Sequence, residues 1–575
     1  MLRKNWIYKN QKINTANLKS LSDSVSPIIA NLLSNRNINS PDEAKTYFSK
    51  PLSAIHSPLT FPDIDIAVDR IIKAIENKER IVVYGDYDVD GITSTVLVYK
   101  FLSACKADVS YYIPTRAGEG YGINILALNK IAKSGAKLLI TVDCGITAVG
   151  EVEFAKLQGL DIIITDHHNC QDKIPKAVAV INPKCPDCKY PFSGLAGVGV
   201  ALKLVLAVAS KLGLNTSKVF LEYCDLAAIG SIADIVPLTD ENRIITDRGL
   251  KKIRSGNSCP GILELLKICN ADYKTANADT VAFSIAPRLN ASGRLNSAAQ
   301  SVELLLTSDL KKAKALAETL DEENTKRRNT EQEIFNEAVS MIESDSEFDK
   351  KKVIVLHKED WHQGVIGIVA SRICERFYKP TILISTSGAD GKGSGRSIPA
   401  FDLFSALNDA SEHLTSFGGH SIAAGLNIKT ADIESFSAHI NNYANKILSD
   451  EDFVPVLNID LEIPPSAITL NNIKFLSNLE PFGMANETPV FSLCGVTLES
   501  FSAIGTDKKH IRLTVSKDGM RFNCIGFGMG NLTLHDGDLL DIAFCMVINN
   551  YQNHELIQLR LKDIKKKSGK VTLYE

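Results

Sequence analysis

No sign of charge dominates this chain: 64 Lys and Arg stand against 67 Asp and Glu, a formal net charge of −3. A global basic field for nucleic acid is absent, so any polyanion must meet a local patch. Long apolar runs are scarce too. The opening "MLRKNWIYKNQKINT" has no apolar core, and no secretory signal is expected. The most membrane-like stretch, "GLAGVGVALKLVLAVASKLGL" (194–214), carries Lys203 near its middle. That charge would cost about 3 kcal/mol in a bilayer, so a buried helix is expected there and no membrane partner. Thiol pairs are nearly missing. The 12 cysteines are scattered, which points to reduced thiols and a cytoplasmic location. Cys185 and Cys188 form one C-x-x-C with Cys170 as a third thiol, but no second pair follows at zinc-finger spacing. A structural zinc site needs four ligands, so a loop with thiols is the expectation. There is no tandem repeat or low-complexity tract.

What is present is ordinary in bulk and specific in pattern. With 45% hydrophobic and 23% charged residues, the 575-residue chain has globular composition. Its length predicts three or four domains at roughly 150 residues each. Four β-branched runs precede residue 185: "RIVVYGDYD" (80–88), "KLLITVDCG" (137–145), "LDIIITDHH" (160–168) and "AVAVINPK" (177–184). Helix-like segments separate the first three, which predicts a parallel sheet with right-handed crossovers. The stretch 309–344 has no Gly or Pro and only sparse apolar positions, Leu310, Leu316, Leu320, Ile334 and Met341. It reads as one long, mostly solvated helix between two domains. A second α/β unit follows to about residue 445, and from about 453 short alternating runs predict a small all-β barrel.

The acids in these strands fall at their C-terminal ends, where an open parallel sheet binds ligands. Asp86, Asp88 and Asp90 follow the first, Asp143 the second, and Asp166, His167 and His168 the third. A single D-x-D is common in turns, but three such strand ends converge on one place. Crowded carboxylates raise one another's pKa, and divalent metal reverses that penalty. Oxygen-rich ligation with an imidazole suits manganese or magnesium better than zinc. Two such cations about 3.5–4 Å apart serve phosphoryl transfer to water.

In order, "DYDVDG", "VDCGI", "TDHH" and "GSIADIVPL" resemble the four motifs of the DHH phosphoesterases. Further stretches, among them "YIPTRAGEGYGIN", "LAGVGVALKL", "APRLNASGRL", "GKGSGRSIPAFDL", "FGGHSIAAGL" and "LEPFGMANETPVF", resemble the RecJ family of single-strand-specific exonucleases. The resemblance implies an N-terminal extension (1–59), a DHH catalytic domain (60–308), a connecting helix (309–344), a DHH-associated domain (345–452) and a C-terminal OB-fold (453–575). It implies two divalent cations, Mn2+ or Mg2+, held by Asp88, Asp90, Asp143, His167 and Asp234, with Asp225 a weaker candidate for the last ligand. His168 would face the scissile phosphate, and Asp86 would ligate or support. Some members carry a histidine where this chain has Tyr84. Ser394, Arg396 and Arg116 match a 5′-phosphate grip; Ser397, Arg288, Asn290 and Arg294 would line the path of the strand, and His420 would contact phosphate near the metals.

In "GKGSGRS" (391–397), glycines with a hydroxyl and a guanidinium suit phosphate, though on its own the segment reads more readily as a plain glycine-rich loop. Trp361 and His362 read as packing, and Phe417 as packing or stacking. Lys508, Lys509, His510, Arg512 and Arg521 supply the barrel with basic charge. The resemblance implies 5′→3′ degradation of single-stranded DNA to mononucleotides in recombination and repair, by a monomer associated with single-strand-binding protein and a recombination helicase. The rivals are a small-nucleotide phosphodiesterase and an inactive replication scaffold. The long helix and barrel argue against the first, and the retained acids and imidazoles against the second.

Overall fold

Buried Val and Ile runs build the first sheet of the structure, a computed structural model that describes residues 4–9, 25–115, 122–295, 298–551 and 554–567. Its strands are β1 (Arg80–Tyr84), β2 (Val109–Tyr112), β3 (Ala136–Val142), β4 (Asp161–Thr165) and β5 (Ala179–Ile181). All pairings are parallel and the order is β2-β1-β3-β4-β5. Sequence reasoning finds every strand except β2, an edge strand whose VSYY is nowhere fully buried and so has no continuous apolar run. Helices α1 (Val89–Ala104), α2 (Gly197–Lys211), α3 (Thr216–Ala233) and α4 (Ala286–Leu295) follow. The first three contribute to one large core with β1, β3 and β4.

The chain divides into two compact units. One comprises Ser49–Asn329 and Pro481–Glu487; the other comprises Met1–Phe48, Thr330–Glu480 and Thr488–Glu575. The division falls inside the expected long helix, α5 (Leu310–Ser344). Ala313, Ala317 and Leu320 of α5 join the core of the first unit, and Ile334, Ala338 and Ile342 join a core of the second. The intervening turns are charged, so the helix carries two separate apolar stripes rather than one.

The second unit contains a mixed sheet of β6 (Ile354–Glu359), β7 (Thr381–Ser387), β8 (Asp390–Arg396), β9 (Leu414–Gly419) and β10 (Ala423–Lys429), ordered β9-β10-β8-β7-β6. Helices α6 (Ile366–Phe377), α7 (Leu403–Asp409) and α8 (Ile433–Ile447) accompany it. "GKGSGRS" is therefore not a loop. Residues 390–396 form β8, central in the sheet. Its glycines alternate: a Cβ on Gly391 would meet Ile384 and Ile428, on Gly393 Leu426 and Ile384, and on Gly395 Leu403. Their smallness admits core side chains on one face, while Lys392, Ser394 and Arg396 take the other.

The remaining strands are β11 (Phe491–Ile504), β12 (His510–Lys517), β13 (Met520–Gly526), β14 (Leu539–Tyr551) and β15 (His554–Lys566). They close a ring, β11-β12-β13-β15-β14 and back to β11, with only β13–β15 parallel. That is the five-stranded OB barrel. The N-terminal segment is drawn in here: Asn5–Tyr8 pairs in parallel with Val456–Ile459, and Trp6 Nε1 donates to Asp563 at 2.8 Å.

The apolar stretch 194–214 contains helix α2, buried from Gly197 to Ala209. Lys203 inside it is fully buried; its Nζ donates to Glu241 at 2.5 Å and to the His56 carbonyl at 2.8 Å. Glu241 also accepts from the Tyr190 hydroxyl at 2.5 Å. Among the described residues no helix is long and apolar enough to cross a membrane. Removing one member of a buried pair strands the other charge, at about 3–5 kcal/mol. Glu241→Ala should therefore sharply lower the denaturant midpoint of the first unit, whereas the double variant Lys203→Met/Glu241→Leu should recover most of that loss. Urea titration followed by circular dichroism reads the difference.

Candidate metal centre

The order β2-β1-β3-β4-β5 reverses direction between β1 and β3, and a crevice opens at such a switch point beyond the strand ends. The predicted acids gather there. Asp86 follows β1 and is buried. Asp88 is the N-cap of α1, accepting from the Gly91 amide at 3.0 Å. Asp90, in the first turn, accepts from the amides of Gly197 and Val198 at 2.6 and 2.8 Å. The N-terminus of α2 thus fixes both of its oxygens. Asp143 leaves β3 at φ 60°, a left-handed conformation that short polar side chains tolerate. Asp234 is the C-cap of α3.

His167 ties the cluster together. Its Nε2 lies 3.1 Å from Asp143, 3.6 Å from Asp234 and 3.8 Å from Asp90. Metal-ligand groups form from Asp86, Asp88 and Asp143, from Asp90, His167 and Asp234, and from Asp143, His167 and His168. Asp143 thus joins the motif-one acids in one group and the two histidines in another. Asp143 Oδ1 and His167 Nε2 are buried yet make no hydrogen bond. Such buried polar atoms call for a partner, and a hard divalent cation fits this oxygen-rich donor set. Asp225 is elsewhere: it pairs with Lys252 Nζ at 3.1 Å, so Asp234 is the acid that the fold brings to the cluster. Tyr84 is fully buried in a separate apolar cluster with Val82, Leu139 and Ile164, donating to the Gly122 carbonyl at 2.9 Å.

The electrostatics carry the same message. Burial first, then the charges of Asp234 and Asp88, pushes Asp90 well above the usual carboxylate range. Burial and the charge of Asp90 do the same to Asp143. Asp234 rises to about 7 through burial and the charge of Asp88. His167 falls to about 3, by burial and by the neighbouring His168.

Asp166, which sequence reasoning leaves at the strand end without a role, organises the motif. One oxygen accepts from the amides of His167 and His168 and from His168 Nδ1 at 2.7 Å; the other accepts from the Ile146 amide at 2.9 Å. Burial would raise its pKa, but the His168 hydrogen bond and these amides outweigh burial and hold it low. Burial likewise opposes the charge on His168, and the bond to Asp166 overrides it, so His168 titrates above an ordinary imidazole.

The other candidates divide. Asn290 accepts from the Val89 amide at 3.2 Å and so positions the motif-one loop. Arg288 pairs with Asp321 at 2.7 Å and donates to the Ser284 carbonyl, the geometry of a strut. Arg294 is half-buried. Arg116 lies outside the described residues. In the second unit Arg396 donates to Ser394 Oγ at 3.3 Å, beside Gly367 in the first turn of α6; a Cβ there would lie 2.8 Å from Ser394 Oγ. Ser397 is committed to the Phe401 carbonyl at 2.6 Å. His420 is exposed after β9. Trp361 is buried and donates to Glu337 at 2.8 Å, and His362 accepts from the Gly364 amide. Phe417 packs against Phe404, with ring centroids 5.7 Å apart. On the barrel, Lys509 pairs with Asp507 and Arg521 with Glu499. Sequence reasoning misses Phe527, 49% exposed and flanked by His510 at 5.2 Å and Arg560 at 5.3 Å. A lone aromatic among barrel residues has no distinguishing sequence signal. Cys170 and Cys185 have sulfurs 3.1 Å apart, but neither belongs to the metal-ligand groups found among the described residues.

Comparison with known proteins adds identity to geometry. The DHH family N-terminal domain matches residues 80–231, the DHHA1 domain 350–446 and the RecJ OB domain 459–563. The chain is 39% identical to the single-stranded-DNA-specific exonuclease RecJ of Bacillus subtilis, over 98% of this chain and 71% of the relative. The chain belongs to the RecJ family. It is also 32% identical to RecJ of Haemophilus influenzae, over 93% of this chain and 95% of the relative. The crystal structure of RecJ in complex with Mn2+ from Thermus thermophilus is similar, with TM-score 0.85 at 29% identity, covering 99% of this chain and 80% of that one. The Mg2+ complex of the same RecJ has TM-score 0.80 at 28% identity, covering 99% and 79%.

One glycine makes a sharp test of the site. A Cβ on Gly197 would lie 2.6 Å from both Cβ and Oδ1 of Asp143, whereas one on Gly150 would meet nothing within 4 Å. Gly197→Ala should weaken Mn2+ binding by about 10–100-fold, and Gly150→Ala should not. Calorimetric titration of chelator-stripped protein measures both.

Proposed function

We propose that the chain is a metal-dependent exonuclease that degrades single-stranded DNA from its 5′ end to mononucleotides, in recombination and repair. The convergence of acids and His167 at the β1/β3 switch point carries this reading. Asp88, Asp90, Asp143, His167 and Asp234 would hold two divalent cations, Mn2+ or Mg2+, with Asp143 shared and Asp86 completing the motif-one side. When bound, the cations supply activation of water and neutralisation of developing charge. His168 keeps its Nδ1 proton on Asp166 and presents Nε2 to a non-bridging oxygen of the scissile phosphate. Asn290 holds the Asp88–Asp90 loop in register through the Val89 amide.

Catalysis is assigned to 60–308, joined by the helix 309–344 to strand-holding parts in 345–452 and 453–575. Ser394 and Arg396, beside the start of α6, would bind the terminal 5′-phosphate, since a hydroxyl, a guanidinium and helix N–H groups favour an anion. Arg116 would complete that grip. Arg288, Arg294, Ser397 and His420 would border the strand, Arg288 and Ser397 through the backbone and acid that they fix. Phe527, His510 and Arg560 offer the barrel a base-stacking surface. All 12 cysteines are free thiols, which supports a reducing cytoplasmic location. A single copy carries the whole ligand set, which supports a working monomer, and single-strand-binding protein and a recombination helicase are the partners that this substrate suggests.

End-labelled strands test the reading. A 5′ label should be released first as mononucleotide with Mn2+ or Mg2+, with no release in chelator, and a 3′ label should persist. Asp143→Ala should lose about 10²–10³-fold or more in rate while still retarding the strand on a gel. Preference for a dinucleotide over a long strand, or normal cleavage by Asp143→Ala, would overturn it.

A further inference from the structure

A second cluster of ligating side chains lies in the unit that does not contain the carboxylate centre. His413 ends a short turn after α7, Glu412 precedes it, and His439 lies in α8. His413 Nε2 is 3.2 Å from His439 Nδ1. Glu412 Oε1 is 3.5 Å from the first nitrogen and 3.4 Å from the second. A cation bonded to imidazole nitrogens and a carboxylate oxygen at about 2.0–2.2 Å in tetrahedral geometry holds its ligands about 3.3–3.6 Å apart. The three atoms already form one face of such a tetrahedron.

The proton positions agree. His439 Nε2 lies 3.0 Å from Asp409 Oδ2. A carboxylate only accepts, so the proton sits on Nε2 and the Nδ1 lone pair faces His413. A carboxylate that orients a ligating histidine in this way is the usual support of a metal site. Without metal, His413 Nε2–H donates to His439 Nδ1; when a cation takes that place, His413 binds it as the other neutral tautomer, with the proton moved to its own Nδ1. The imidazoles are partly covered, with side chains 20% and 29% exposed, and Glu412 is 71% exposed. The open side, a surface depression that Tyr443 and Lys446 also line, leaves room for water as a fourth ligand.

The geometry points to a binding site for one zinc-class transition-metal ion on Glu412, His413 and His439, with Asp409 as the positioning residue for His439. Two imidazoles select borderline cations over the oxygen-seeking Mg2+ and Mn2+. The ion clips α8 to the turn before β9. Nothing in this site draws on the nuclease reading.

Cobalt(II) tests it, because tetrahedral Co2+ absorbs strongly in the visible. Full-length protein is stripped with chelator, saturated with Mg2+, and titrated with Co2+ and then Zn2+. One equivalent of Co2+ should bind with tetrahedral absorption and be displaced by Zn2+. Asp143→Asn should retain that equivalent, and His413→Ala/His439→Ala should lose it. Asp409→Asn, which keeps all three ligands, should bind about 10–100-fold more weakly, so the test does not depend on the double variant folding. Thermal melting should rise with Zn2+ in Asp143→Asn and not in the double variant. Wild-type protein with no such equivalent, or a folded double variant that retains it, would overturn the proposal.

Discussion

Mutual repulsion among buried carboxylates is the constraint around which the first unit is built. Asp90 and Asp143 are both nearly inaccessible and both pushed far above the usual carboxylate range. Left alone they would take up protons or move apart. The fold prevents the second outcome. The α2 amides hold Asp90 by both oxygens, and the backbone at Asp143 is left-handed, with its amide donating to the Thr165 carbonyl at 3.0 Å. Fixed acids that cannot separate are stable when positive charge sits among them, so cation binding and folding of this region are one linked equilibrium.

Backbone closeness enforces the same geometry. A Cβ on Gly91 would lie 2.5 Å from the Asp86 carbonyl, and one on Gly230 would lie 2.8 Å from Asp90 Oδ1. At Gly91 an added methyl group would push on the Asp86 backbone itself; at Gly230 it would also meet Thr93 Oγ1 at 2.4 Å and Val198 Cγ1 at 2.7 Å, so the acid and the core beside it would shift together. The glycines of β8 work differently, since their neighbours are core side chains of the same unit. In both settings glycine is chosen for absent volume; among these positions none has φ in the left-handed range.

Much of this is legible in the sequence because the signals are local. A β-branched run with acids at its end specifies a strand and its chemistry together, so β1, β3 and β4 with Asp88, Asp143 and His167 can be read directly. Signals that depend on a distant partner cannot. Asp225 and Asp234 look alike along the chain; Lys252 claims the first. Arg288 is expected along the path of the strand, and only the fold reveals Asp321 beside it. "GKGSGRS" reads by composition as a loop, although its G-x-G-x-G alternation already has the period of a strand. Asp166 has no role that the sequence betrays, because its function is to accept from backbone and imidazole nearby, and such acceptors have no spacing signature.

His167 and His168 show how far environment divides identical neighbours. His167 is buried and His168 partly so, their ring centroids 4.5 Å apart, and burial pushes both towards the neutral form. Only His168 has a carboxylate within bonding distance on its own loop, and that single contact reverses the outcome. His167 faces acids across the crevice without a hydrogen bond and stays neutral, its Nε2 lone pair available to a cation. Neighbouring groups whose proton affinities are driven apart take different chemical roles. A neutral imidazole offers a lone pair to a cation, whereas one whose proton affinity is raised is suited to meet an anion. Because Asp166 accepts from both histidine amides as well as from the His168 ring, one buried carboxylate sets the backbone of the pair and assigns the proton to one member of it.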